Sequence, residues 1–128
     1  MRHILAAVVG AAWLIATVPA MGHHSFAAEF DLNRPVELTG QVTEVQWTNP
    51  HAWIHIDVEG DDGTVQSWAI ELLGINNLAR RGWTRNTVKA GDVISVEGFG
   101  ARDGSNTGNA TVVTLASTGE RIWDSTSQ

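Results

Sequence analysis

The sequence predicts an all-β domain with one short helix, arranged as a five-stranded OB-type Greek-key barrel. Three observations predict it. Five separate runs alternate apolar and polar residues, which is the period of a half-buried strand. Turn residues punctuate these runs at Asn49-Pro50, Gly60-Asp61-Asp62-Gly63 and Gly91-Asp92. One short helical stretch falls between the third and fourth runs, giving the order three strands, helix, two strands. A plain meander or a small sandwich fits the same strand count.

The first strand is expected over residues 36–47, after a break at Asn33-Arg34-Pro35. Val36, Leu38 and Val42 share one face, whereas Val45 and Trp47 fall on the other. Such a change of phase inside one run predicts a bulge or sharp bend. The second strand is expected over residues 51–59. Ile54, Ile56 and Val58 point to the core, and His51, Trp53, His55 and Asp57 point away, because successive strand side chains face opposite sides. A hairpin loop at residues 60–63 leads to a third strand, 66–72. Trp68, Ile70 and Leu72 face inward there; Ser67, Ala69 and Glu71 face out. Residues 75–81 form the helix, with Leu78 and Ala79 toward the core and Gly82 as its stop. Trp83 covers one end of the core. The fourth strand is expected over 93–99, with Ile94 and Val96 inward. A loop rich in Gly, Asn, Asp and Ser spans 100–109, and the fifth strand covers 110–116. A short final strand is expected at 121–123.

The first 22 residues read as an export signal. Met1-Arg2-His3 is a basic start, residues 4–20 are apolar and uncharged, and small residues follow. Cleavage after Ala20 or after Gly22 satisfies the small-residue rule. The mature chain then has an extended segment at 23–35, a barrel domain at 36–123 and a polar tail at 124–128. A periplasmic or secreted bacterial protein is expected, with no membrane span once the signal is removed. Cleavage takes away Arg2 and no acid, so seven basic residues face fourteen acidic ones, a net charge of −7. That balance argues against nucleic acid, whose binding is dominated by phosphate contacts. The chain has no cysteine. Disulfides, thiol nucleophiles and thiolate metal sites are therefore excluded.

Four strings carry a resemblance: His23-His24-Ser25-Phe26-Ala27-Ala28-Glu29-Phe30-Asp31, Thr48-Asn49-Pro50-His51-Ala52-Trp53, Arg80-Arg81-Gly82-Trp83-Thr84-Arg85, and Ala101-Arg102-Asp103-Gly104-Ser105-Asn106-Thr107-Gly108-Asn109-Ala110. In these the chain resembles a family of small exported bacterial proteins of unknown function. The resemblance implies export and a single small β-domain. It implies no activity.

Functional chemistry is sought first on the outward face of strands two and three. His51 and His55 lie two same-face steps apart, roughly 13 Å along a strand, which is too far for easy sharing of one ion. A His51–Glu71 pair is plausible across the hairpin, since Glu71 falls opposite either His51 or Trp53. Trp53 is the indole expected to be most exposed and to serve as a stacking platform for a small ligand. The N-terminus is the second candidate. After cleavage at Gly22, His23 offers a free amine and an imidazole beside His24. After cleavage at Ala20, His23 stands third from the amine. Both arrangements suit Cu(II), and His51 is a candidate additional donor. The basic segment Arg80, Arg81, Arg85 and Lys89 is the third candidate, either as a receptor for an anionic partner or as charge complementing a helix C-terminus. The 102–109 loop reads as a shaped turn, because neither a phosphate loop nor a complete calcium ligand set is present.

No nucleophile elbow, metallohydrolase helix or carboxylate pair stands out, so an enzyme is not expected. The expectation is a non-enzymatic exported binding domain. Its metal donors come from His23, His24, His51, His55 and Glu71, and its ligand contacts from Trp53, Arg80, Arg81 and Arg85. The ligand is Cu(II) or a small molecule; the alternative is an envelope protein–protein interaction module without metal.

Overall fold

The long first strand sets the architecture, because it is shared between two halves of one sheet. The computed structural model describes residues 26–126. Its elements are α1 (Phe26–Glu29), β1 (Phe30–Gln46), β2 (Trp53–Glu59), β3 (Val65–Glu71), α2 (Ile75–Arg80), β4 (Val93–Ala101), β5 (Thr107–Leu115) and β6 (Glu120–Asp124). The protein is thus mostly β with short helices. The six strands form one sheet in the order β3-β2-β1-β4-β5-β6. Neighbours in that order pair antiparallel, and β3 also pairs with β5 in parallel at Ala69↔Thr107, Ile70↔Gly108 and Glu71↔Asn109.

β1 pairs with β4 from Pro35 to Gln41 and with β2 from Gln41 to Gln46. The register slips between Val42 and Glu44, which is the bulge that the phase change predicts. An extra residue there bends the strand and reverses which side chains face inward. Val42 is buried ahead of the slip, and Val45 and Trp47 pack against the core after it. A second slip, between Phe30 and Pro35, falls where the sequence reads as a break. Strand β1 nevertheless begins at Phe30 rather than at residue 36, because Phe30 is buried and pairs with Ala101.

The core is built largely from the predicted inward positions: Ile54, Ile56, Trp68, Ile70, Leu72, Leu78, Ile94 and Val96 are all buried, and Val113 of β5 joins them. Each large aliphatic side chain removed from water there stabilises the fold by about 1.5–3 kcal/mol before entropy is counted. Trp83 is also buried, as expected, and Trp123 joins it.

Four expectations are corrected. Ala79 is exposed, because one turn of helix carries only Leu78 inward. His51 precedes β2 rather than opening it; the chain enters through a cis Asn49–Pro50 bond, and Ala52 takes up the backbone pairing with Leu72 and Leu73. The expected loop at 100–109 shrinks to a turn at 102–106. Thr107, Gly108 and Asn109 are strand residues, because β3 supplies a parallel partner for them. Glu71, expected to face out, is buried. In the tail, Ser125 N–H donates to the Thr111 carbonyl at 2.8 Å.

The signal segment 1–22, both cleavage points, and His23 and His24 lie outside the described residues. No described helix is long and apolar enough to cross a membrane.

Candidate functional site

Glu71 is the one charged side chain that is buried among the described residues, and it forms part of the wall of an open pocket of about 350 Å³. Three separate segments build that pocket. Ala28 and Glu29 come from α1 and Phe30 from the start of β1. Trp53 and Glu71 come from the paired ends of β2 and β3. Ala101, Arg102, Asp103, Ser105 and Thr107 come from the β4–β5 connection.

These segments hold one another in place. Arg102 donates from its backbone N–H to the Glu29 carbonyl at 2.9 Å and from Nε to the Ala27 carbonyl at 2.6 Å. Arg34 reaches over the connection and donates from Nη1 to the Ala101 carbonyl at 2.6 Å. The turn itself is closed by Asp103, whose Oδ1 accepts the Ser105 N–H at 2.9 Å, with Gly104 at φ +79°. That φ is open to glycine without strain. The Ser105 hydrogen bonds also hold the Asp103 carboxyl below its usual pKa. The segment is therefore a shaped turn, and it forms one wall of the pocket.

Glu71 is opposite Trp53 in the β2–β3 register, while its side chain meets His51. Glu71 Oε1 lies 3.4 Å from His51 Nδ1 and accepts from Asn109 Nδ2 at 3.3 Å. Burial raises the Glu71 carboxyl above its usual pKa, and the nearby Glu29 adds to this. His51 and the Asn109 amide act in the opposite direction. A carboxylate in this position is costly to ionise, and a cation placed beside it would relieve that cost.

His51 is held by more than Glu71. Its Nδ1 is 3.1 Å from the Leu72 carbonyl, and its own carbonyl accepts the Thr48 hydroxyl at 2.8 Å. Gly74 packs directly beneath the turn that carries it: a Cβ there would run into the Pro50 carbonyl and the Asn49 side chain. The side chain of His51 is 46% exposed.

The remaining expected residues are dispersed. His55 stands on β2 opposite Ala69 and Glu44, with its Nε2 buried and without a hydrogen-bond partner among the described residues. Trp53 is half-buried as a pocket wall rather than a free platform, because α1 and the β4–β5 turn enclose its surroundings. Arg80, Arg81 and Arg85 are exposed, and none lines the pocket. Arg80 donates to Asn77 at 3.0 Å, and the Arg81 guanidinium lies 4.8 Å over the Trp123 ring. Among the described residues, no three His, Asp or Glu side chains gather to hold a metal.

Sequence reasoning missed Glu29 and Asn109 as site residues. Asn109 carried one usable signal, its place directly before Ala110 and Thr111 at the head of an alternating run. The glycines around it concealed that phase. Glu29 carried none, because its approach to Glu71 depends on tertiary packing.

No curated protein matches the chain. A family model described as a family of unknown function, DUF6152, matches residues 12–110, most of the chain. The chain belongs to the DUF6152 family.

Proposed function

We propose that this protein is a non-enzymatic exported binding domain of OB type, and that the pocket beside Glu71 takes a small cation, Cu(II) first. The barrel reading is supported by the β3–β5 pairing, which makes the series β1-β2-β3-β5-β4 return to β1, with α2 placed between β3 and β4. Export is supported by the basic, apolar and small-residue order of the first 22 residues.

One observation carries the ligand reading: a buried carboxylate, Glu71, opens onto a pocket that also contains Glu29 and Asp103, with Arg102 the one basic lining residue among those described. A positive ligand is the electrostatic complement of such a wall. Copper is favoured among cations by donor chemistry. His51 stands beside Glu71, and nitrogen donors rank Cu(II) above the other first-row divalent ions. His23 and His24 lie outside the described residues, and the sequence offers both as nitrogen donors. The N-terminal histidines are thereby candidates to complete a set that the described residues do not supply.

The deciding experiment is a Cu(II) titration of the mature, untagged protein, with its N-terminus fixed by intact-mass spectrometry. Tight one-to-one binding that disappears when the terminal amine is acetylated is expected. Affinity no better than that of a short histidine-containing peptide removes copper. A panel of small organic ammonium ions, read by Trp fluorescence, then tests the pocket alone. Failure of both turns attention to an envelope partner.

A further inference from the structure

We infer that the pocket beside Glu71 takes a primary organic ammonium ion, whose N–H groups meet Glu71 Oε2 and whose carbon body lies among Phe30, Trp53 and Ala101. This rests on the reading of the pocket as a cation site and names the class of cation.

Size comes first. A cavity of about 350 Å³ falls at the lower end of the range for organic ligands, roughly 300–1,000 Å³. A bare ion would leave most of it unfilled. The lining also has the composition of an organic site: Ala28, Phe30, Trp53 and Ala101 are apolar, and a few polar groups stand among them. A metal ion needs several donors converging on one point, and among the described residues no three His, Asp or Glu side chains gather in that way. An ammonium ion needs one carboxylate, and its carbon chain is complemented by the apolar wall.

Glu71 supplies that carboxylate. It is 6% exposed and lines the pocket. Asn109 Nδ2 and His51 Nδ1 both meet Oε1, at 3.3 and 3.4 Å. Oε2 has no hydrogen-bond partner among the described residues. A buried carboxylate oxygen without a donor is incompletely satisfied. A charged donor suits it better than a neutral one, because burial penalises the ionised carboxyl and an adjacent positive charge offsets that penalty. Arg102 does not fill this role: its Nε donates to the Ala27 carbonyl at 2.6 Å, and it forms no ion pair with Glu71. Trp53 stands opposite Glu71 in the β2–β3 register and adds a second attraction, since the face of an indole draws a cation within about 6 Å. The Ser105 and Thr107 hydroxyls, 3.2 Å apart in the lining, can accept from the remaining N–H groups. A quaternary ammonium has no N–H and would leave Oε2 without a hydrogen bond.

The probe is 2-phenylethylammonium, titrated into the mature, untagged, ¹⁵N-labelled protein at about pH 7.5, where an alkyl amine is protonated. ¹H–¹⁵N spectra should show saturable shifts at Trp53 Nε1–H and at the Asn109 side-chain amide, with Trp123 Nε1–H unmoved. The neutral 2-phenylethanol and the trimethylated ammonium ion should each bind at least about 10-fold more weakly. Glu71→Gln, which keeps the shape, should weaken binding of the probe by about 10–100-fold, and Trp53→Ala by about 3–30-fold. Equal affinity for the alcohol, or binding that Glu71→Gln leaves unchanged, overturns the inference. Equal affinity for the trimethylated ion overturns the pairing of N–H with Oε2. Absence of probe binding also overturns the inference; if Cu(II) then binds and Glu71→Gln weakens it, the cation reading of the pocket stands without this ligand class. If neither cation responds to Glu71→Gln, both fall together.

Discussion

Where the segment after α2 meets β6, Trp83 and Trp123 bury two indoles, and each N–H finds a backbone carbonyl. Trp83 Nε1 donates to Ile122 at 2.8 Å and Trp123 Nε1 to Ala110 at 3.0 Å, and the rings meet edge to face at 6.5 Å. Beside the pocket, Glu71 is buried to a similar degree. Its partners are an amide at 3.3 Å and an imidazole at 3.4 Å, both on Oε1, and another carboxylate stands nearby. The first region has one donor for one acceptor and a large apolar contact. The second keeps a group that prefers water and offers it long, incomplete replacement. Burial of polar atoms is thus structural where the partners match the need; where they fall short, the group is the one to test for a ligand.

Substitution should separate the two regions. The largest effect is expected from Trp123→Ala. It removes a core indole, the edge-to-face contact and the donor for the Ala110 carbonyl. The fold should lose about 3–5 kcal/mol, the usual cost of truncating a buried aromatic. Chemical denaturation gives the number. An unchanged midpoint would mean that the indole pair is not structural.

Glu71→Gln should act in the opposite direction and stabilise the metal-free protein by about 1 kcal/mol at neutral pH, since it removes a poorly compensated charge. The sign depends on pH. The folded carboxyl binds its proton more tightly than the unfolded one, whose usual value is 4.5. Its contribution to stability is complete below that value and is lost as pH rises through the raised folded pKa. The gap between variant and wild type should therefore be small in acid, open upward from about pH 4.5 and then level off. The exposed Asp62 and Asp103 and the half-buried Asp124 have lowered pKa values, so they favour folding above 3.8 and lose that effect in acid. They are common to both proteins and cancel. A variant less stable than wild type at neutral pH would place Glu71 with the structural group.

These two regions also differ in how far the sequence revealed them. Trp68, Ile54, Ile56 and Ile70 were legible as core because period-two alternation is a local property of each strand. The bulge after Val42 was legible for the same reason. The pocket was only partly legible. The His51–Glu71 contact follows from hairpin counting, since the two lie across one tight turn. Burial of Glu71 does not follow, because it comes from a parallel pairing of β3 with β5 and from α1, segments distant in sequence. Alternation on β3 assigns Glu71 to the outward face, and that assignment is locally correct. What covers the outward face is a tertiary matter. Locally, Arg81 fits either an anion-receiving segment or a charge at a helix end; its seat over Trp123 depends on β6 and has no local signature.

The smallest expected effects concern the rim of each region. Arg81→Ala removes the guanidinium from the Trp123 face and should cost about 0.5–1 kcal/mol, the range for an exposed cation over an aromatic ring. Copper affinity should not change, because Arg81 does not line the pocket. His51→Ala should show the reverse pattern. Its half-exposed ring contributes little packing, so the stability cost should be about 1 kcal/mol, that of leaving the buried Glu71 a partner short. The larger loss should appear in Cu(II) affinity. Measuring both quantities on both variants gives a crossed comparison. If His51→Ala unfolds the protein as strongly as a core truncation, the imidazole belongs to the scaffold of the β2 entry turn, and its Nδ1 contacts are structural. If stability holds while copper affinity falls, the same contacts are those of a donor held ready for an ion.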